Sequence, residues 1–350
     1  MSKSSLALTL WVPNLLTEAV CSALREAAPS ELSAKAFPAL TTLMSRADVF
    51  SVKSQSIYDT GAYLFHQTVS QPPAATMALA QLADFEVADF WLRAELCQMI
   101  PDRDSLVLIP AADLGVSEAE AEALRLAFNE YFALDGVRLE AGGRTDWYLR
   151  LPQTVDVHTF PLPEVAYRHV QSCYPSGHAA PYWRQLMNEA QMLFFSHPVN
   201  EARREAGRPE INSLWFWGEG ALDLKGAVRR PNANVCSDDL YFQGLAKLTQ
   251  AGCQPEPINY QAWSESALAM AQPLSHHLIH LDRAAPRDGT LSDWLSQLHR
   301  LEADWFAPLL AALRQGALHS LFIDVGRPQR YHLKPTHLRR FWRRRKSIVL

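Results

Sequence analysis

The 350 residues, 48% hydrophobic and 20% charged, describe an ordinary globular chain and exclude a disordered one. At about 150 residues per domain, the length points to two domains, or to one large α/β domain carrying an insertion. The 33 basic and 37 acidic side chains leave a net charge of −4, so there is no global pull toward nucleic acid or an acidic membrane.

In chain order, Leu6–Val12 reads as a buried strand ended by Pro13-Asn14, and Asn14 can cap a helix running to about Ala27. The same run could pass for a short signal segment behind Lys3. No Ala-x-Ala site follows promptly, so the expectation is a first core strand and a cytoplasmic protein. No apolar run reaches the roughly 18 residues of a membrane span. Phe37–Arg46 is amphipathic, and residues 74–92 read as helical. Ser105–Ile109 is a strand stopped by Pro110. Ser117 and Glu120 form a capping box ahead of a helix whose stripe is Ala121, Leu124, Phe128, Tyr131 and Phe132. Val137–Glu140 and Trp147–Leu151 are strands set off by Asp135-Gly136 and Gly142-Gly143.

Further on, Tyr182–Phe195 is a helix with Trp183, Leu186, Met187, Ala190 and Phe194 on its apolar face. A short helix follows His197-Pro198 and closes at Gly207. Ile211–Trp217 is apolar on both faces, the pattern of a central parallel strand, and it runs into Gly218-Glu219-Gly220. Leu240–Thr249 is helical. Leu278–Leu281, the helix Leu291–Leu313 and Leu318–Ile323 form a strand-helix-strand unit, which implies a parallel crossover. The expected organisation is an α/β core from residues 1–85 and 156–350, with an α+β insertion at 86–155.

Among local motifs, the Gly-Glu-Gly turn is the best ligand signal. Ligands of parallel sheets bind beyond the carboxyl ends of strands, and glycines let backbone N–H groups approach an anion. Trp215 and Trp217 share a face there; filling a core would explain them equally well. Asn212 lies at the opposite end of the strand and reads as a structural hydrogen bonder. Arg203 and Arg204 can clamp a carboxylate or phosphate, or simply form a solvated helix face. The expected ligand-binding set is Arg203, Arg204, Trp215, Trp217, Gly218, Glu219 and Gly220, facing a small phosphorylated or anionic metabolite.

No metal site is expected. His276 and His280 share a strand face but stand about 13 Å apart, too far for one zinc. Cys21, Cys97, Cys173, Cys236 and Cys253 form no Cys-x-x-Cys pair, which argues against a zinc knuckle and against disulfides. There is no Gly-x-Ser-x-Gly, P-loop or complete dinucleotide fingerprint, so no catalytic residue and no cofactor is assigned. The tail Arg339–Lys346 has six basic residues in eight around Phe341 and Trp342. The expectation is that both rings dock and the cations stay solvated, with an anion- or nucleic-acid-binding tail as the alternative.

The run His197-Pro198-Val199-Asn200-x-x-Arg203, then Gly207-x-Pro209-x-x-Asn212-x-x-Trp215-x-Trp217-Gly218-x-Gly220, resembles a segment of the archaeal-type cofactor-independent phosphoglycerate mutases. More closely, the chain resembles the RpfE-type bacterial regulatory proteins, which are phosphoglycerate mutase-like. Trp91–Ala94, Pro101–Leu106, Trp147–Pro152 and Arg340–Arg344 carry the rest of the likeness, over about residues 85–345. The resemblance implies the alkaline phosphatase superfamily: a mostly parallel α/β core, an insertion, two divalent metals and a phosphorylated serine.

The chemistry that the resemblance implies does not match these residues. An Asp-Gly at the end of the first strand is replaced by Val12-Pro13-Asn14. The nucleophile turn is missing near Ser54, Ser56 and Thr60. Arg283 and Arg287 stand in the metal-binding loop, where they would repel metals. The closing Asp-His becomes Asp324-Val325. The resulting expectation is a non-catalytic regulatory or ligand-binding protein with a degenerate site, with a protein partner as a further expectation. One alternative is a metal-dependent phosphomutase or phosphatase with substituted ligands; another is a nucleic-acid-associated protein acting through its tail, although nucleic acid is not the expected partner.

Overall fold

The computed structural model describes residues 6–13, 15–27, 35–51, 57–65, 67, 69–103, 105–224, 233–269, 276–281, 290–344, 347 and 348. Its strands, in chain order, are β1 (Leu6–Trp11), β2 (Asp48–Ser51), β3 (Phe90–Asp102), β4 (Ser105–Pro110), β5 (Arg138–Ala141) and β6 (Trp147–Leu151). There follow β7 (Ser213–Gly220), β8 (Asn234–Cys236), β9 (Cys253–Gln254), β10 (His276–His280), β11 (Leu318–Asp324) and β12 (Gln329–Leu333). The chain divides into two compact units: residues 1–69 with 227–350, and residues 70–226. The segment expected as the insertion, 86–155, lies within the second.

The first unit is built on a sheet ordered β2-β12-β11-β1-β10-β8-β9. The pairs β11–β1, β1–β10, β10–β8 and β8–β9 are parallel, while β12 is antiparallel to both of its neighbours. This is the expected α/β architecture, and the strand-helix-strand unit from β10 to β11 makes the expected parallel connection. Leu8, Leu10, Ile279, Leu321 and Ile323 alternate into a core shared with Leu298, Trp305, Phe306, Leu309 and Leu313. Each fully buried side chain of this kind contributes roughly 1.5–3 kcal/mol relative to exposure.

The expected single helix over 291–313 is interrupted. The α-helix Leu291–Leu301, capped by the Thr290–Asp293 box, passes into a π-helical turn, Glu302–Phe306, before Ala307–Gln315 resumes. The extra residue turns the Glu302 carboxylate onto the start of the helix Pro38–Arg46, where it accepts from the N–H groups of Ala39 (2.5 Å) and Leu40 (3.0 Å). Those N–H groups have no partner within their own helix, so a carboxylate from a distant segment serves as the cap. Burial pushes the Glu302 carboxyl up, and the two N–H donors oppose that.

The C-terminal segment reverses the expectation that its aromatics dock. Phe341 and Trp342 are 81% and 66% exposed. The cations hold the segment instead. Arg340 meets Asp48 at 2.6 Å and the Arg46 carbonyl at 3.1 Å, and Arg343 donates to the Ala47 carbonyl at 2.5 Å. His337 also lies 3.6 Å from Asp48. The arginines sit at positions that reach β2, and the rings between them are turned outward.

In the second unit, β3 is the organising strand, and it corrects the reading of 74–92 as one helix. The helix ends at Gln81, and the chain enters β3 at Phe90. β4, β6 and β7 all pair with β3 antiparallel, and β5 extends from β6. β7 therefore is not a central parallel strand. An apolar run reports burial on both faces, which an antiparallel strand covered by the helices Pro73–Gln81 and Ala180–Phe195 satisfies as well.

Candidate functional site

In the first unit, one row of side chains closes the carboxyl edge of the parallel sheet, where an α/β sheet binds its ligands. Trp11 is in register with His280 on one side and Asp324 on the other. Ser237, just past β8, reaches the same level and pairs with His280 (Oγ to Nδ1, 2.9 Å). Ser237, His280 and Asp324 are all buried. The His280 ring clusters with Trp11 (centroids 4.8 Å apart) and Phe242 (4.6 Å, stacked), whose own centroids are 5.1 Å apart. Two further acids face backbone. Asp239 caps the helix Leu240–Leu248 by accepting from Tyr241 N–H and Phe242 N–H, and Asp238 accepts from Glu256 N–H.

Asp324 is the acid on this row that the resemblance aligns with a metal ligand. Its Oδ2 lies 3.2 Å from Arg330 Nη2, with the two side chains only 7% and 9% exposed, and its Oδ1 accepts from Gly326 N–H at 3.1 Å. Burial pushes its carboxyl up, and Arg330 and the Gly326 N–H act against that. A guanidinium thus offsets the Asp324 charge within the fold. The neighbouring strand end, Trp11-Val12, offers no oxygen from its side chains. Among the described residues, no group of three or more His, Cys, Asp or Glu is placed to hold a metal ion. The described residues therefore do not fit a two-metal centre, which needs several such ligands around metals about 3.5–4 Å apart. Residues 282–289, Ser54 and Ser56 lie outside the described residues, as do Asn14, Arg345 and Lys346.

The residues expected to bind a ligand are gathered in the second unit, where each is engaged by the fold. Arg203 is 1% exposed. Its Nε and Nη2 meet Glu120 at 2.9 and 3.0 Å, while Nη1 donates to the carbonyls of Leu114 and Pro209 and Nη2 also to that of Gly115. All five N–H groups are used, which leaves none for a phosphate. Burial would raise the Glu120 carboxyl, but the bonds from Arg203 and Ser117 outweigh it and hold the group at about 2. Arg204 pairs with Glu210 (3.1 Å) and lies over the Phe195 ring.

Trp215 and Trp217 are buried, and their indole N–H groups donate to the Phe160 carbonyl (2.8 Å) and to Glu95 (3.0 Å). Glu219 accepts from the Thr159 hydroxyl and N–H, and Gly218 N–H donates to the Thr159 hydroxyl. Gly218 has φ +75°, and a Cβ there would stand 3.1 Å from Ala74 N. Gly220 has φ +146°, and a Cβ there would stand 2.5 Å from the Pro72 ring. The glycines admit the close approach of Pro72-Pro73-Ala74, and the strand they end is antiparallel rather than parallel. Asn212 exchanges two hydrogen bonds with the backbone of Met99, as its place at the far end of the strand implies.

Sequence reasoning missed the buried Arg93. It meets Glu95 (3.2 Å) and Asp146 (2.9 Å) and lies over the Tyr148 ring. The signal was the Arg-x-Glu alternation of Arg93 and Glu95 inside an apolar run, which puts both on one strand face. It also missed Arg330, whose partner is fixed only by the β11–β12 register.

No protein-family model matches the chain. Over 265 residues it is 23% identical to a probable 2,3-bisphosphoglycerate-independent phosphoglycerate mutase of Geobacter sulfurreducens, covering 71% of this chain and 66% of that protein. Over 162 residues it is 20% identical to a 2,3-bisphosphoglycerate-independent phosphoglycerate mutase of Methanosarcina barkeri, covering 43% and 41%. The chain thus spans about two thirds or less of these curated relatives. Among solved structures, the cofactor-independent phosphoglycerate mutase of Thermoplasma acidophilum matches with a TM-score of 0.50 at 14% identity, over 98% of this chain and 94% of that one. A Pyrococcus horikoshii protein matches with a TM-score of 0.56 at 13% identity, over 94% and 88%. The fold is therefore the mixed α/β fold with a mostly parallel central sheet that these solved structures share, and the chain is similar to phosphoglycerate mutases at low identity.

Proposed function

We propose that this phosphoglycerate mutase-like chain is a non-catalytic ligand-binding or regulatory protein, in keeping with the RpfE-type proteins that it resembles. The observation that carries this reading is the Asp324–Arg330 pair at the carboxyl edge of the sheet. An acid that the mutase resemblance implies as a metal ligand is paired with the chain's own cation, and its neighbour is Val325 rather than a histidine. Phosphoryl transfer needs charge neutralisation and an activated nucleophile at one point, and nothing described at this edge supplies both. A small phosphorylated or anionic metabolite remains the proposed ligand. The residues first expected to hold it are engaged in the fold of the second unit. No helix of the described residues is long and apolar enough to cross a membrane. The free cysteines accord with a cytoplasmic location.

The test is elemental analysis of the dialysed protein, with a phosphoglycerate turnover assay on the same sample. The expected result is sub-stoichiometric metal and no turnover, with a thermal shift from a phosphometabolite. Stoichiometric manganese or zinc with turnover would establish the alternative, an enzyme with substituted ligands.

A further inference from the structure

The C-terminal segment presents its aromatic rings and anchors through its arginines, the reverse of a docked tail. Arg340 and Arg343 stand on either side of the pair Phe341-Trp342, and both reach β2: Arg340 through Asp48, and Arg343 through the Ala47 carbonyl with Asp48 at 3.9 Å. The rings they flank are turned to solvent, with centroids 5.3 Å apart and planes at 80°. Arg339, Arg343 and Arg344 are exposed on the same segment. This local cationic charge sits in a chain of net charge −4, so it is a property of this surface and not of the protein at large.

We infer that this segment binds single-stranded nucleic acid, with bases stacked on Trp342 and Phe341 and phosphates met by Arg339 and Arg344. Aromatic faces interleaved with cations are what an unpaired strand requires, since each nucleotide offers one π-face and one negative charge. An acidic peptide would satisfy the arginines and leave both rings in water. A lipid surface is matched by an amphipathic helix with one apolar side. Here a 3₁₀ turn, Pro335–Arg339, leads into the two rings, which are perpendicular and have cations on both sides. The inference rests on the tail alone and is independent of the reading of the sheet edge.

The test is fluorescence anisotropy of the full chain with a labelled oligo-dT of about 12 nucleotides, a length within single-strand site sizes. Heparin and phosphatidylserine vesicles serve as parallel arms. Binding is expected to weaken with salt, with a log–log slope near −0.7 per phosphate contacted. The double variant Phe341→Ala/Trp342→Ala should lose about tenfold or more in affinity while keeping its melting temperature and salt slope. Arg339→Gln/Arg344→Gln should reduce the slope, and Trp342→Phe, which keeps a ring, should retain most of the affinity. No binding at low salt would overturn the inference. Affinity unchanged on removing the rings, or equalled by heparin, would reduce the site to a general polyanion contact and overturn it as well. Vesicle binding stronger than oligonucleotide binding would assign the surface to lipid instead.

Discussion

The strand β7 and the C-terminal segment Arg339–Arg344 are built from similar parts, two large aromatics with arginine close by, and the fold uses them in opposite ways. In β7 the rings are sealed between a sheet neighbour and two helices, and the nearby Arg203 is spent on five internal hydrogen bonds. In the tail the rings face water, and the arginines do the anchoring. What separates them is the alternative partner available to each guanidinium. Arg203 sits among orphaned carbonyls at the Leu114–Gly115 turn, where leaving those groups unpaired would be costly. Arg340 and Arg343 find theirs beside β2, and the aromatic residues between them are left facing water.

The sharpest way to break this contrast is to remove the guanidiniums. Arg330→Ala strands the buried Asp324 carboxylate and should cost about 3–5 kcal/mol in urea unfolding. Arg203→Ala leaves the Leu114 and Pro209 carbonyls without their donor, while Glu120 keeps Arg208 and Ser117, and should cost about 1–3 kcal/mol. A loss below about 1 kcal/mol at either site would contradict the buried-pair account. Next come the glycines. Gly220→Ala drives a Cβ into Pro72 and forces an L residue to φ +146°, so a loss of roughly 1–3 kcal/mol in thermal unfolding is expected. If Gly220→Ala instead left stability intact and abolished binding of a phosphometabolite, β7 would be a ligand loop after all. Smallest is the effect of Phe341→Ala/Trp342→Ala, within about 0.5 kcal/mol per exposed site.

Acid titration gives a further discriminating measurement. The Glu120 carboxyl is held down, at about 2 against a usual value near 4.5. Its contribution is therefore complete above the usual glutamate range and is lost as pH falls toward about 2. The stability gap between the wild type and Glu120→Gln should be flat near neutral pH and close across that acid window. A gap that stays constant down to pH 2 would mean that Arg203 and Glu120 are not coupled.

The α/β core was legible because its strands are short apolar runs separated by capped helices. Leu6–Trp11, the Ser117–Glu120 box and Leu318–Asp324 all stand close to where the pattern puts them. β3 was hidden because Phe90–Ile100 carries Arg93, Glu95 and Gln98 among apolar residues, and two of its three partners, β6 and β7, stand at 147–151 and beyond 200. The direction of β7 was hidden for a related reason: apolar content reports burial and is silent on polarity of pairing. The π-helical turn at Glu302 depends on a carboxylate reaching residues 39 and 40, a contact no local window contains. At the candidate site, the departure of Val12-Pro13 and Val325 from the mutase pattern was readable from the residues. The capture of Asp324 by Arg330 needed the antiparallel register of β11 and β12.

The proposal that Arg330 takes up the charge of an acid which the mutase resemblance implies as a metal ligand is tested most directly by metal content measured together with turnover. Purified protein dialysed after exposure to manganese or zinc should retain well under one equivalent and should not interconvert phosphoglycerates. The Arg330→Ala variant, provided it stays folded, should not gain turnover, because Trp11-Val12 and Val325 supply no further ligands. Two tightly held equivalents of metal with phosphoglycerate turnover in the wild type would contradict the account and make the chain a working mutase.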